Sequence, residues 1–102
     1  MDVAIAAEIS IGQPVHIEID GTRIAVFKLS DGYYAIEDVC THDGGQLTGG
    51  CVEKDEIICP RHGARFSIKT GGALSAPAYE STYIFPLRIE NGVVQVKDER
   101  WD

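Results

Sequence analysis

Three Asx-Gly dipeptides divide this sequence into short segments rich in β-branched and aromatic residues: Asp20-Gly21, Asp31-Gly32 and Asn91-Gly92. Such pairs favour two-residue hairpin turns, because both residues tolerate the positive φ angles that these turns require. Before the first pair, apolar and polar residues alternate from Val15 to Ile19, which is typical of a strand with one buried face. Since no window favours an amphipathic helix, the sequence predicts an all-β fold of antiparallel strands.

Four further segments next to these turns fit the same pattern. Their apolar, β-branched and aromatic residues are typical of strands. They are Arg23–Leu29, Tyr33–Ile36, Leu87–Ile89 and Val93–Val96.

The middle of the chain, from about 38 to 78, has a different composition. It holds seven of the eleven glycines, all three cysteines and two of the three histidines. Loops should dominate there, with Ile57-Ile58 as a short apolar run that leads into Cys59. We therefore expect one domain, 1–102, in which a small loop-rich subdomain is inserted between strands of a β scaffold.

Length and charge exclude several classes of protein. The chain has 102 residues, with 9 Lys and Arg against 16 Asp and Glu, and a formal net charge of −7. Nucleic acids and anionic membranes would repel such a chain, whereas a basic protein partner would attract it. Three cysteines are too few for a disulfide-stapled secreted domain, and Glu8 interrupts the apolar start that a signal peptide or membrane anchor would need. We expect a soluble protein of the reducing cytoplasm.

Two short motifs bring cysteine and histidine together. Cys40 and His42 are two positions apart, and Cys59 and His62 follow after sixteen residues. Two thiolates and two imidazoles suit either a tetrahedral zinc site or an iron–sulfur cluster of mixed ligation. Zinc fingers place both cysteines before both histidines, whereas here the two types alternate. Two similar loops favour a two-iron cluster, with the cysteines on one iron and the histidines on the other, as in Rieske centres.

Longer stretches around these motifs extend the pattern: Cys40-Thr41-His42-Asp43-Gly44-Gly45, Cys59-Pro60-Arg61-His62-Gly63-Ala64-Arg65-Phe66, Ser75-Ala76-Pro77 and Ile84-Phe85-Pro86-Leu87-Arg88-Ile89-Glu90. They resemble Rieske [2Fe-2S] ferredoxins, particularly those of bacterial aromatic-ring dioxygenase systems, and the resemblance spans nearly the whole chain. It implies a Rieske-like antiparallel β-sandwich base with an inserted cluster-binding subdomain, in which the stretch ending at Pro77 covers the cluster. It also implies one Rieske-type [2Fe-2S] cluster bound by Cys40, His42, Cys59 and His62.

Three positions bear on the reduction potential of such a cluster. The resemblance aligns Gly45 and Arg61 with an extra cysteine pair that forms a disulfide in the high-potential Rieske proteins of respiratory complexes. It aligns Ala64 with a serine whose hydroxyl donates to a cluster sulfur in those proteins. Because such hydrogen bonds stabilise the reduced cluster, their loss predicts a potential near the lower end of the Rieske range of about −150 to +300 mV.

Other reactive or conformationally special residues have simpler interpretations. Gly44, Gly45 and Gly63 are turn residues or, alternatively, let backbone N–H groups face the cluster sulfurs. Cys51 lies outside both loops, and we expect an inert, partly buried thiol. His16 falls on the polar face of a strand, and we expect an ordinary surface histidine.

The resemblance implies an electron carrier that is not itself an enzyme. With His42 and His62 on the cluster, only His16 remains, whereas the mononuclear iron of a terminal oxygenase needs two histidines and a carboxylate. We expect a monomer that takes electrons from an NAD(P)H-dependent flavoprotein reductase and passes them singly to a terminal aromatic-ring oxygenase. The alternatives are a small Rieske subunit of a nitrite reductase-like complex and a structural zinc-binding module.

Overall fold

The computed structural model describes residues 2–5, 9–19, 21–41, 44–60, 63–76, 80–85 and 87–96. Within these ranges the chain forms strands and turns but no helix, and hence no helix that could cross a membrane. The strands in chain order are β1 (Asp2–Ile5), β2 (Val15–Ile19), β3 (Thr22–Leu29), β4 (Gly32–Glu37), β5 (Val52–Glu53), β6 (Glu56–Ile58), β7 (Arg65–Ser67), β8 (Ile84–Phe85), β9 (Leu87–Glu90) and β10 (Val93–Val96).

The strands form three sheets, with the orders β1-β10-β9, β2-β3-β4-β8 and β5-β6-β7. Every pairing between these strands is antiparallel. The third sheet lies within the loop-rich region 38–78, between β4 and β8 in the chain. The predicted all-β, antiparallel fold is therefore confirmed.

Asn91-Gly92 forms the hairpin turn that the sequence predicts. Glu90 pairs with Val93, which leaves a two-residue loop between β9 and β10. Both loop residues have positive φ angles, 53° and 75°, and this combination is a type I′ turn.

The hairpin between β3 and β4 is displaced by one residue from the predicted Asp31-Gly32 turn. Leu29 pairs with Gly32, so the two-residue loop is Ser30-Asp31 and Gly32 begins β4. The prediction of this turn was wrong by one position because the glycine takes part in the strand pairing. A two-residue loop also joins β2 to β3, and its first residue, Asp20, lies outside the described residues.

Several short strands lie in segments for which the sequence predicts no strand. β1 pairs with β10 from the other end of the chain, and β8 is a two-residue strand that pairs with β4. β5, β6 and β7 pair with one another inside the region expected to consist of loops. Local patterns do not reveal these strands because each is short and is defined by its partner rather than by its own residues.

The buried apolar residues form two clusters that share strand β3. Successive residues of a strand point to opposite faces of its sheet. The first cluster therefore takes Ala25, Phe27 and Leu29 from β3, and the second takes Ile24 and Val26. The first cluster also contains two of the three cysteines, so part of the apolar core is formed by candidate metal ligands.

Candidate metal centre

The two cysteines predicted to bind metal lie just beyond the ends of strands. Cys40 follows the last residue of β4 by three positions, and Cys59 directly follows β6. Both are buried, with 0% and 1% of their surface exposed, in the same apolar cluster. None of the three cysteines is in a disulfide, so both sulfurs can serve as metal ligands at a place that water hardly reaches.

The loops that begin at these cysteines have the same backbone hydrogen bonds. In the first loop, the amide of Gly44 donates to the carbonyl of Cys40 and the amide of Cys40 donates to the carbonyl of Gly45, both at 2.7 Å. The second loop repeats both bonds at the same offsets from its cysteine, so the two thiols hold corresponding positions. Its bonds run from Gly63 to Cys59 at 3.0 Å and from Cys59 to Ala64 at 2.7 Å.

Gly44 and Gly63 adopt the same left-handed backbone conformation, with φ of 75° and 73°. A Cβ at either position would meet no atom within 4 Å, so the backbone angle rather than the space favours glycine. Their amides donate to the carbonyls of Cys40 and Cys59. For Gly44 and Gly63 the turn interpretation is therefore supported, because their N–H groups close the loops, while the interpretation of Gly45 stays a prediction.

The predicted ligands His42 and His62 lie outside the described residues. Among their described neighbours, Gly44, Pro60 and Gly63 are exposed, so each loop runs from a buried cysteine to the surface. The described part of the chain contains no group of three or more His, Cys, Asp and Glu side chains placed to hold a metal ion. That part contributes two cysteines to the predicted set of four.

Asp38, two residues before Cys40, is a fully buried carboxylate. Its Oδ1 accepts hydrogen bonds from the amides of Leu47 at 2.7 Å and Thr48 at 2.8 Å, and its Oδ2 accepts one from the Thr48 hydroxyl at 2.6 Å. Its own amide donates to the carbonyl of Arg23 at 2.9 Å. Hydrogen bonds to an ionised acceptor are stronger than neutral ones and make such burial tolerable. The sequence carries one possible signal for this residue, an acidic side chain close to a ligand cysteine, but no motif that singles it out.

His16 is not the ordinary surface histidine that the sequence predicts. Its side chain is 27% exposed, and its Nδ1 lies 2.5 Å from Oδ2 of Asp38. Its Nε2 lies 3.8 Å from Oε1 of Glu18. The strand alternation correctly places His16 on the more polar face of β2, but it cannot reveal a buried carboxylate 22 positions further along the chain.

Two further side chains attach the first loop to its surroundings. The guanidinium group of Arg23 donates to the carbonyl of Gly44 at 2.9 Å. The hydroxyl of Thr41 donates to the carbonyl of Glu80 at 2.6 Å, which joins this loop to the segment that leads into β8. Both contacts are long-range, and the sequence carried no local signal for them.

Ser75, the first residue of the predicted covering loop, lies beside the second cysteine loop. Its Oγ accepts a hydrogen bond from the amide of Arg65 at 3.1 Å, whereas Pro77 lies outside the described residues.

The Arg65 guanidinium group is 3.3 Å from carboxylate oxygens of both Glu53 and Glu56. The hydrogen bond to Glu53 is the largest cause that raises the pKa of Arg65 above its ordinary value, and the hydrogen bond to Glu56 is the next largest. The start of β7 therefore carries a permanently charged group that is matched by two carboxylates.

Cys51 has an exposed side chain, which corrects the expectation of a partly buried thiol. Its backbone carbonyl accepts a hydrogen bond from the amide of Ile58 at 2.9 Å. The backbone at this position thus continues the pairing of β5 and β6, while the residue itself stays outside the apolar cluster that contains the other two cysteines.

Comparisons with known proteins show what this arrangement is similar to. The family described as the Rieske [2Fe-2S] domain matches residues 1–89. The ferredoxin component of the naphthalene 1,2-dioxygenase/salicylate 5-hydroxylase systems of Ralstonia sp. is 34% identical over 99 residues, which are 97% of this chain and 95% of that protein. The similarity thus extends far beyond the two ligand motifs.

Two solved structures share the fold. A chain in the complex of reduced oxygenase and oxidized ferredoxin of carbazole 1,9a-dioxygenase superposes with a TM-score of 0.90 at 31% identity, covering 95% of this chain and 100% of that chain. A ferredoxin from Sphingomonas yanoikuyae B1 superposes with a TM-score of 0.91 at 28% identity, covering 96% of this chain and 97% of that chain. The chain therefore shares its overall fold with these two solved structures.

Proposed function

The chain belongs to the Rieske [2Fe-2S] domain family, and from this premise we propose that Cys40 and Cys59 bind one iron of its cluster and that His42 and His62 bind the other. The Rieske-type cluster combines thiolate and imidazole ligands in this way. The two cysteines fit this role because they are buried and form no disulfide. The observation that carries the assignment is the identical hydrogen bonding of their two loops.

The two loops have a buried side and an exposed side. The thiols lie in the apolar core, while Pro60 and Gly63, on either side of one predicted histidine ligand, are exposed. When bound, the cluster takes up and releases single electrons. The apolar residues around Cys40 and Cys59 exclude water from the thiolate side, so a protein partner would approach from the exposed side of the loops.

The protein is an electron-carrying ferredoxin component of a multicomponent dioxygenase system and not the oxygenase itself. We assign a terminal aromatic-ring oxygenase as its electron acceptor, on the basis of its similarity to the naphthalene and carbazole dioxygenase ferredoxins. The chain has three histidines, and the one outside the ligand motifs, His16, is engaged by Asp38. This count leaves no pair of histidines for the mononuclear iron of an oxygenase.

The proposal also includes the electron donor, the cell compartment, the oligomeric state and the extent of the domain. The electron donor is an NAD(P)H-dependent flavoprotein reductase, and the ferredoxin works in the cytoplasm as a monomer that meets its two partners in turn. One surface that serves two partners favours a small and short-lived interface. The chain is a single domain, 1–102, in which residues of about 38 to 78 form the cluster-binding part.

The test is the composition and the spectrum of the purified protein. We expect iron and acid-labile sulfide in equal amounts, about two of each per chain, and an electron paramagnetic resonance signal with a low average g value after reduction by dithionite. His42→Ala and His62→Ala should abolish that signal, and Cys59→Ser should abolish it as well. Cys51→Ser is the matched control and should leave it unchanged, because Cys51 lies outside the buried pair.

Two outcomes would contradict the proposal. A colourless protein that holds one zinc ion and no labile sulfide would point to the structural zinc module. A protein that purifies only in a fixed stoichiometric complex would point to a permanent enzyme subunit rather than a carrier that moves between partners.

A further inference from the structure

We propose that Asp38 and His16 are positioning residues for the first ligand loop and provide the attachment that strand pairing provides for the second loop. The proposal rests on the ligand assignment above, since the first loop begins at Cys40. Within themselves the two loops have the same backbone hydrogen bonds. They differ in how they are attached to the rest of the protein.

The second loop is attached by a strand pair. Ile58 on β6 pairs with Arg65 on β7, and these residues directly flank the turn from Cys59 to Ala64. An antiparallel pair at the base of a turn fixes both ends of the turn. Backbone pairing therefore fixes the base of the loop that begins at Cys59.

The first loop has a strand on one side only. β4 ends at Glu37, and the residues after Gly45 enter no strand before β5. Asp38 supplies the missing attachment, because its Oδ1 accepts hydrogen bonds from the amides of Leu47 at 2.7 Å and Thr48 at 2.8 Å. Its carboxylate thereby joins the chain that enters the loop to the chain that leaves it.

Asp38 is itself held by two adjacent strands of the base sheet. Its amide donates to the carbonyl of Arg23 on β3 at 2.9 Å. Its Oδ2 lies 2.5 Å from Nδ1 of His16 on β2. β2 pairs with β3 along the whole of its own length, Val15–Ile19, so both contacts come from one continuous antiparallel ladder. The Asp38 carboxylate thus ties the chain on both sides of the first loop to the base sheet, in addition to the hydrogen bond from Arg23 to the carbonyl of Gly44.

The carboxylate depends on His16 because a fully buried charge is stable only when hydrogen-bond donors surround it. Leu47 provides one donor and Thr48 provides two. Nδ1 of His16, 2.5 Å from Oδ2, provides the fourth when it carries the ring proton. Without His16, only the Thr48 hydroxyl would remain at Oδ2. The carboxylate would then turn towards water, and its hold on the loop would weaken.

The experiment compares the cluster-loaded wild-type protein with Asp38→Asn, His16→Ala and His16→Asn. The measurements are the g values of the reduced cluster, the reduction potential and the rate at which the visible absorbance of the cluster is lost. We expect Asp38→Asn and His16→Ala to shift the g values and to lose the cluster about tenfold faster. His16→Asn should recover most of the wild-type behaviour, because it keeps an N–H donor close to the place of Nδ1.

Two further variants make the comparison specific. Glu18→Gln removes the other carboxylate near His16, whose Oε1 lies 3.8 Å from Nε2, and it should behave like the wild type. Thr48→Val removes the hydroxyl donor to Asp38, together with the acceptor of the exposed Gln46 side-chain amide, and keeps the backbone donor of Thr48. Thr48→Val should shift the g values in the same direction as His16→Ala. If Asp38→Asn does not fold, Thr48→Val still tests whether the hydrogen bonds to Asp38 position the first loop.

A role in stability alone would give a different result. Variants that unfold at lower temperature but keep the wild-type g values, potential and cluster lifetime would overturn the proposal. A wild-type protein without a Rieske spectrum would instead overturn the ligand assignment, so the two failures are distinguishable.

Discussion

Ala64 ends the second ligand loop with a methyl group that can donate no hydrogen bond. It is fully buried, and its carbonyl accepts the amide of Cys59 at 2.7 Å. Gly45, which accepts the equivalent bond in the first loop, has no side chain. At this position neither loop can offer a hydroxyl to a cluster sulfur, and this favours a low reduction potential.

Replacing Ala64 by serine should therefore raise the reduction potential. A hydrogen bond of ordinary net strength, about 0.5–1.5 kcal/mol, corresponds to roughly 20–65 mV for a one-electron couple. A spectroscopic redox titration of Ala64→Ser against the wild type measures the shift. Ala73→Ser is the control, since Ala73 is half-buried and packs against the apolar cluster of residues that also contains Ala64. It should leave the potential unchanged. A wild-type potential well above 0 mV would contradict the prediction made from Gly45, Arg61 and Ala64.

Among single residues, the sequence predicts those that lie in short motifs of neighbouring positions. Cys40 and Cys59 lie in motifs whose glycines close the loops at a fixed offset, so a few consecutive positions identify them. Asp38 and His16 escape prediction because their contact joins positions 22 residues apart. The sequence around His16 does not distinguish it from any other histidine on the solvent-exposed face of a strand.

At the level of elements, the hairpin of β6 and β7 connects the second loop to the core. Phe66 on β7 pairs with Ile57 on β6, and both are fully buried in the apolar cluster of residues that contains Cys59. The large aromatic side chain of Phe66 thus belongs to the same apolar core as Cys59. Packing and pairing therefore act together on the same few residues.

Phe66→Ala should destabilise the protein by about 3–5 kcal/mol, because it removes buried apolar surface and leaves a cavity. Denaturant unfolding of the cluster-loaded protein, followed by far-ultraviolet circular dichroism, measures the free energy of unfolding. Ile89→Ala is the control, since Ile89 on β9 is 45% exposed. It should cost far less, and equal losses in the two variants would contradict this account of the core.

The elements that the sequence predicts are those with strong local signals. The strands on either side of Asn91-Gly92 combine β-branched residues with a turn that only a few residue types can form. β1 and β8 lack such signals, since β1 pairs with β10 from the far end of the chain and β8 has only two residues. Their presence is decided by tertiary pairing, which a local pattern does not contain.

At the level of the whole molecule, the net charge of −7 bears on how partners meet. A strongly acidic carrier is attracted over a distance by a basic surface, which raises the rate of encounter more than it raises affinity. Mobile ions screen this attraction beyond about 8 Å at physiological salt. The charge should therefore affect how fast electrons are delivered.

The rate of electron transfer to the terminal oxygenase should fall as salt concentration rises. We expect about a tenfold decrease from low to high ionic strength, measured by stopped-flow mixing of reduced ferredoxin with oxidised oxygenase. Oxidation of the same ferredoxin by a neutral quinone is the control and should depend little on salt. Transfer to the oxygenase that is indifferent to ionic strength would contradict electrostatic steering.

Strand β3 places alternate side chains in the two apolar clusters, so neither cluster can come apart without exposing the other face of the same strand. The base and the thiol-bearing core should therefore unfold in one cooperative transition. A molecule of this kind spends little time in half-open states, in which its buried sulfurs would meet oxygen. Cooperative unfolding of this kind would keep the two cysteines away from oxidants for as long as the sheet stays intact.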